Sequence, residues 1–305
     1  MRLLLIVNSS ASSVTARGRV VIQKALSADH QVTMVETNRR GHATRLAQGS
    51  ANDGVDVVVC LGGDGTLNEV ANGLAGTDTA LAPLPGGSTN VFARTIGLPN
   101  DPIEATGLLL EGLSQERIER VGLGSVNGRY FLFHVGIGFD AVVVKQVERR
   151  AALKRYASHP LFIYAAFATW FRHYDRSRPR FSVREDQGAV IDDGYFAICL
   201  NTNPYTYLGN RPFDVIPEAT LDRGLAIVTF RSLALIPLLQ AAASALGFGR
   251  DIRRQKHLDV RTDLTRFDID GHGPFPYQVD GDYLGETEHL RFEHKPEILK
   301  LVLPP

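Results

Sequence analysis

Over its first 121 residues the chain alternates short apolar runs with stretches in which apolar residues return every third or fourth position. Runs at 3–7, 31–36, 55–61 and 80–84 have the length and composition of strands, and segments 19–26, 44–48 and 67–74 have the helical period. Residues 55–61 are almost wholly apolar, as a parallel strand buried on both faces requires. Behind them Leu67, Val70, Ala71 and Leu74 fall at i, i+3, i+4 and i+7, the stripe of an amphipathic helix. A further helix opens at Asp101-Pro102, with Asp as N-cap and Pro in the first helical position. Strand and helix in strict alternation predict an α/β fold, a Rossmann-like parallel sheet covered on both faces.

The pattern changes near Arg120. Residues 121–126 and 130–136 flank Asn127-Gly128, a type I′ hairpin signal. Strand signals then dominate, at 180–184, 194–200, 225–230, 257–261, 266–270, 277–280 and 288–293, interrupted by helical stretches at 141–150, 161–172 and 235–246. A second, mainly antiparallel β (α+β) domain over 122–295 is expected after a first domain over 1–121.

Composition changes this picture little. The chain has 305 residues, is 44% hydrophobic and 22% charged, and balances 33 Lys and Arg against 33 Asp and Glu. That excludes disordered and fibrous classes, and zero net charge argues against a nucleic-acid partner. The two cysteines, Cys60 and Cys199, lie in apolar strand-like runs, so no disulfide framework exists and a cytoplasmic setting is expected. The apolar run at 3–7 is too short for a signal-peptide core, and 233–248, broken by Pro237, Gln240 and Ser244, is too short to span a membrane. The nine histidines show no metal-ligand spacing, and neither a Walker loop nor a Gly-x-Ser-x-Gly elbow occurs.

The candidate chemistry sits at the seams between strand and helix. Leu61-Gly62-Gly63-Asp64-Gly65-Thr66 places three glycines and an acid where a buried strand gives way to a helix. Such a turn leaves backbone N–H groups unpaired, and the helix dipole adds positive charge, which suits a phosphate. A carboxylate at that place repels a polyphosphate unless a cation lies between them, so Asp64 implies Mg²⁺ or a proton-transfer role. The plain alternative is a tight connection whose glycines serve only positive φ. A second loop, Pro85-Gly86-Gly87-Ser88-Thr89-Asn90, again leads into a helix, with Ser88 or Thr89 able to act as N-cap. On successive βα units the two loops would share one edge of the sheet. Gly136-Ile137-Gly138-Phe139-Asp140-Ala141 fits a dinucleotide fingerprint but follows a hairpin signal, and reads as a structural turn.

Taken together, Gly62 to Thr66, the following Asn68-Glu69-Val70 and Asn72-Gly73, and Pro85 to Asn90 with Phe92-Ala93-Arg94 resemble the diacylglycerol kinase catalytic family. That family includes bacterial lipid kinases, sphingosine kinases and ceramide kinases. Val279-Asp280-Gly281-Asp282 resembles its Asp-Gly-Glu element, so the likeness spans nearly the whole chain. The resemblance implies phosphoryl transfer from ATP, with Mg²⁺, to the hydroxyl of diacylglycerol or a similar lipid alcohol. It implies that the backbone of Gly62, Gly63 and Gly65 and the side chains of Thr66 and Asn68 hold the phosphates. Asp64 would engage the Mg²⁺·ATP, and Gly87, Ser88, Thr89 and Thr37 would contact the nucleotide. Asp282, where the family has Glu, would receive the lipid hydroxyl proton, and residues 296–305 would return to the first domain.

Several family features are replaced. The opening Asn-Pro-x-Ser-Gly reads Asn8-Ser9-Ser10-Ala11-Ser12, and family acids are replaced by Val91, Gly122 and Arg223. These changes remove carboxylates from a metal network and leave Asp222 as the metal candidate. NAD kinases carry a related Gly-Gly-Asp-Gly-Thr, so a soluble acceptor is an alternative, as is a non-catalytic nucleotide- or lipid-binding protein. Basic runs at 149–150, 154–155, 172–180 and 250–256 border apolar helical stretches. This pattern suits either docking at an anionic membrane surface, the inner face of the cell membrane, or ordinary core packing. The sequence leaves the oligomeric state open, a homodimer included.

Overall fold

The computed structural model describes residues 1–149, 165–166, 168–170, 174–185, 190–248 and 251–305. They form two compact units, Met1–Leu123 with Pro296–Pro305, and Gly124–Lys295. Among the described residues no helix is long and apolar enough to cross a membrane.

In the first unit β1 (Arg2–Val7), β2 (Gln31–Glu36), β3 (Val57–Gly62) and β4 (Ala80–Pro85) are parallel, in the spatial order β2-β1-β3-β4. The end of the chain's last strand adds beside β4, Lys300 and Leu301 facing Ala80 and Leu81 in parallel register. Helices α1 (Ala16–Leu26), α2 (His42–Asn52), α3 (Asp64–Leu74), α4 (Val91–Thr95) and α5 (Pro102–Ser114) connect the strands. Alternate strand residues, among them Leu5, Val59 and Ala82, pack with Ile22 and Leu26 of α1 and Leu109 and Leu113 of α5. The intervening residues, such as Ile6, Val58 and Cys60, are equally buried, so both faces of the sheet are covered. Asp101 caps α5 through Ile103 N–H (2.8 Å) and Glu104 N–H (3.0 Å), with Pro102 behind it, as its sequence requires.

The second unit is built on antiparallel pairs. β5 (Ile118–Val126) turns through Asn127 (φ 47°) and Gly128 (φ 83°) into β6 (Arg129–Phe131), the I′ geometry that Asn-Gly predicts. β7 (His134–Ile137) leads into α6 (Phe139–Glu148). There follow β8 (Phe181–Glu185), β9 (Ile191–Gly194), β10 (Phe196–Leu200), the small pair β11 (Thr206–Leu208) and β12 (Arg211–Phe213), and β13 (Leu225–Phe230). Helix α7 (Leu235–Ala245) precedes β14 (Leu258–Leu264), β15 (Arg266–Val279) and β16 (Asp282–Val302). One face of the β10–β13 ladder, with Cys199 and Ile227, joins a core containing Phe267, Phe275 and Phe292. The other, with Ile198 and Val228, packs on Ala241 and Ala245 of α7.

The expected α/β class is what the chain adopts, and most elements fall where the pattern places them. The separate strands expected at 266–270 and 277–280 are one strand. The turn-like Gly271-His272-Gly273-Pro274 between them is absorbed by a register shift between Asp270 and Phe275. The strand expected at 288–293 likewise runs on, within β16, into the returning segment expected at 296–305, with Glu297 at φ 53° near the join. The helix expected at 161–172 lies largely outside the described residues.

Candidate active site

In the order β2-β1-β3-β4 the direction of chain progression reverses between β1 and β3, and ligands of such sheets bind beyond the strand ends at that reversal. Asn8 follows β1 there, and Gly62-Gly63 ends β3. Asn8 bridges the two: its N–H donates to Leu61 O (2.9 Å) and its Nδ2 to Thr66 Oγ1 (2.9 Å). The β1–α1 loop reaches the second glycine loop through Ser13, whose N–H donates to Gly86 O and whose hydroxyl donates to Gly87 O, both 2.9 Å. Thr37 follows β2 at the same edge, its N–H donating to Val7 O (2.9 Å). The structure therefore gathers Thr37, Gly62–Thr66 and Gly87–Thr89 at one edge of the first unit, as their places after parallel strands predict.

The glycines do a different job from the positive-φ turn weighed as the alternative. None of Gly62, Gly63, Gly65, Gly86 or Gly87 has positive φ, and Gly63 lies at φ −85°, ψ 177°. Close approach is what they allow. Gly86 N–H donates to Gly62 O (2.8 Å), a Cβ on Gly86 would lie 2.9 Å from Gly62 Cα, and one on Gly87 would lie 2.8 Å from Gly63 Cα. Two backbones in contact leave no room for side chains. α3 begins at Asp64 with no side-chain cap, and its first intrahelical bond runs from Leu67 N–H to Gly63 O (3.0 Å). The N–H groups of its first turn thus precede the helical ladder at this edge.

Asp64 is half-buried, and its carboxylate serves the neighbouring helix: Oδ2 accepts Val91 N–H (3.1 Å) and Oδ1 accepts Phe92 N–H (3.2 Å). This corrects the capping expected of Ser88 or Thr89. The residue before α4 is Asn90, in the left-handed conformation (φ 51°), and Asp64 satisfies the helix's first donors from another loop. Asn90 closes the second loop on itself, its Oδ1 accepting Gly87 N–H (2.7 Å) and its Nδ2 donating to Gly87 O (2.9 Å). Ser88 is left exposed and Thr89 half-exposed. Asn68 is only 1% exposed and its Oδ1 accepts from Asn72 Nδ2 (3.3 Å), so it braces α3 from within instead of lining the edge with Thr66. Glu69 caps α2 through Gly41 N–H (2.7 Å) and Ala43 N–H (3.1 Å). The roles of Asn8, Asn90 and Glu69 were not read from the sequence. An Asn directly after β1 is the one signal that could have drawn attention.

In the second unit Asp280-Gly281 turns β15 into β16 with φ 46° and 83°. Asp280 is buried, and its carboxylate accepts three N–H groups: Leu132 (2.7 Å), Phe133 (3.0 Å) and His134 (3.1 Å). Asp282 is half-exposed and pairs with Arg129 at 3.6 Å. Beneath the turn, Gly281 N–H donates to Gln278 Oε1 (2.8 Å) and Gln278 Nε2 donates to Asp140 Oδ2 (2.8 Å). Tyr205 OH donates to Asp140 Oδ1 (2.5 Å), and burial pushes the Asp140 carboxyl above its ordinary pKa. Gly136 leaves the space this carboxyl fills and Gly138 takes φ 78°, so residues 136–141 are the structural turn expected of them. The His134 ring lies against Tyr205 (4.3 Å between centroids), and burial lowers its pKa to about 3.

The residues present fit one implied ion and not another. A half-buried carboxylate beside glycine loops is a hard oxygen donor suited to Mg²⁺ carried with a nucleotide. The metal expected at Asp222 fares differently. Asp222 is exposed, the Thr220 hydroxyl holds its carboxyl below the usual range, and a guanidinium, Arg223, stands next to it. The nearby Asp263 is used to accept Gly224 N–H (2.9 Å). Among the described residues no three His, Cys, Asp or Glu side chains converge as a metal site.

A parallel α/β unit with two interlocked glycine loops at its strand-order reversal has the geometry in which such folds bind phosphate. Comparison with known proteins narrows the class. Residues 2–126 match the diacylglycerol kinase catalytic domain. The chain is 37% identical over 281 residues to a diacylglycerol kinase of Staphylococcus saprophyticus, covering 88% of this chain and 87% of that protein. It is 27% identical over 308 residues to a Pseudomonas aeruginosa protein named "Probable lipid kinase YegS-like", covering 99% and 94%. The fold matches a solved diacylglycerol kinase of Bacillus anthracis with a TM-score of 0.73 at 24% identity, covering 100% of this chain and 97% of that one. The chain belongs to the diacylglycerol kinase family of lipid kinases.

Proposed function

We propose that this lipid kinase transfers the γ-phosphoryl group of ATP to the hydroxyl of diacylglycerol or a closely similar lipid alcohol, at the cytoplasmic membrane surface. The observation that carries the reading is the pair of interlocked loops, Gly62–Thr66 and Gly86–Asn90, with Asp64 between them. Phosphoryl transfer needs positioning and charge neutralisation more than covalent chemistry from the protein. In this reading backbone N–H groups of Gly62, Gly63 and Gly65 and the Thr66 hydroxyl orient the phosphates, while Thr37, Gly87, Ser88 and Thr89 contact the nucleotide. Mg²⁺, when bound with ATP, neutralises phosphate charge, and Asp64 is the residue that engages it. Asp282 accepts the proton of the lipid hydroxyl. Proton transfer can come late in a loose transition state, so an ordinary carboxylate suffices.

The test is a panel of acceptors with labelled ATP and Mg²⁺: diacylglycerol, monoacylglycerol, ceramide and sphingosine in detergent, and NAD in solution. Label in the lipid phase with diacylglycerol foremost supports the reading. Label in NAD replaces it with a soluble-acceptor kinase, and ATP binding without any transfer replaces it with a non-catalytic binder.

A further inference from the structure

Helix α7 has no charged residue along its length, LIPLLQAAASA, yet only part of its surface is covered. Ala241 and Ala245 face inward and are buried in the core. Ile236 is 70% exposed and Leu239 51%, with Leu235 beside them, and Phe248 just past the helix is 57% exposed. Together they form an outward apolar face, on a helix about 16 Å long. Large apolar side chains grouped in this way on a soluble surface mark a contact site.

Each end of this helix carries an aromatic ring under an arginine. At the start, Trp170 Nε1 donates to Leu233 O (2.9 Å) and the Arg176 guanidinium lies 3.8 Å from the Trp170 ring centroid. At the end, Arg211 donates to Leu246 O and lies 4.2 Å from the Phe248 ring centroid. The adjoining turn adds Arg253, Arg254 and Lys256, all exposed. Of these, Arg253 pairs with Glu218, Asp251 caps the Arg253 N–H, and Arg254 and Lys256 have no acidic partner among the described residues. An apolar face between aromatic–arginine pairs, edged by unmatched cations, has the chemistry of a bilayer interface: rings and aliphatic chains at the acyl boundary, cations at anionic headgroups.

We infer that the outward face of α7, with Phe248, is the surface by which this protein docks on anionic lipid bilayers. The inference rests on the proposed lipid acceptor, which resides in such a bilayer. The test is co-sedimentation with vesicles of phosphatidylcholine alone and of phosphatidylcholine with phosphatidylglycerol, alongside transfer to diacylglycerol dispersed in detergent. The double variant Ile236→Glu/Leu239→Glu should lose anionic-vesicle binding roughly 10- to 100-fold while keeping the detergent-phase rate, the loss expected when two large apolar side chains no longer insert. Arg254→Glu/Lys256→Glu should weaken binding to the anionic vesicles only. Ile236→Ser/Leu239→Ser guards against misfolding and should lose binding in the same direction.

Unchanged vesicle binding in all three variants overturns the inference. So does a parental dimer that the apolar variants make monomeric without loss of vesicle binding, because the face would then be a subunit contact. A parental protein that phosphorylates dispersed lipid but binds no vesicle overturns the docking surface and leaves the kinase reading standing. Binding through α7 without phosphorylation does the reverse.

Discussion

Asp64 caps α4 and is proposed to engage Mg²⁺·ATP as well. The proposed engagement of Mg²⁺·ATP needs a charge, whereas the capping of α4 needs two acceptor oxygens. Asp64→Asn should therefore abolish turnover and also leave one of the Val91 and Phe92 N–H groups without its partner. A lost cap costs about 1 kcal/mol, or roughly 2–4 °C in Tm for a protein of this size. Near-parental turnover with that same loss of Tm would leave Asp64 as a cap alone. The two acids of the β15–β16 turn should separate more sharply. Asp280→Asn removes an acceptor from a buried group holding three N–H bonds and should destabilise the fold by about 1–3 kcal/mol. Asp282→Asn should keep the Tm and the ATP affinity while lowering kcat by roughly 10²–10⁴, the range for loss of a general base. Parental kcat in Asp282→Asn would remove it from that role. His134 gives a pH signature. Its pKa is depressed to about 3 in the folded state, so the unfolded chain takes up the proton first and stability is lost as pH falls from about 6.5 toward 3. The raised Asp140 pKa acts oppositely, costing stability as pH rises, but it is common to parent and variant. His134→Phe should gain Tm over the parent at pH 5 relative to pH 7, and an identical difference at both values would contradict the burial.

At the scale of elements, the glycine loops were legible because each follows a strand too apolar to be anything but buried. Their purpose was less legible. Local pattern points to freed N–H groups for a phosphate, with left-handed turns as the plain alternative for the first loop, whereas Gly86 and Gly87 are small because another loop's backbone lies against them, a long-range fact that local pattern does not carry. Gly87→Val should therefore abolish ATP binding, measured by calorimetry, by forcing the loops apart. A Cβ on Gly63 meets Gly87 Cα at 3.4 Å and Gly87 N at 3.8 Å, so Gly63→Val should weaken binding less. Equal and parental affinity in both would show that the loops do not hold the nucleotide. The cap on α4 was misassigned for the same reason, since Ser88 and Thr89 are adjacent in sequence but Asp64 supplies the carboxylate across the two loops. Glycine and proline at 271–274 make the pattern of β15 suggest two shorter strands, whereas the β15–β16 ladder continues past them through a register shift.

For the whole molecule, the α/β first half and the antiparallel second half follow from the change in hydrophobic period near residue 120. Parallel strands buried on both faces cannot tolerate the alternation that half-exposed strands show. What the sequence could not supply was the fate of polar residues whose partners are remote. Asp140, Tyr205 and Gln278 lie far apart in the chain and meet only in the core under the turn that carries Asp282. The replaced acids, Val91, Gly122 and Arg223, are visible in the sequence at once, and the structure adds that Asp222 stands exposed beside Arg223, with no converging set of acidic ligands among the described residues. The proposed phosphoryl transfer to lipid runs through the first-unit loops. It is tested most directly by following label from γ-labelled ATP into chloroform-extractable phosphatidic acid, with diacylglycerol in detergent, for the parent and Asp64→Asn. Label accumulating linearly with the parent and falling to background with Asp64→Asn is the result predicted. ATP bound by the parent with no label in phosphatidic acid, or equal labelling by both proteins, would contradict it.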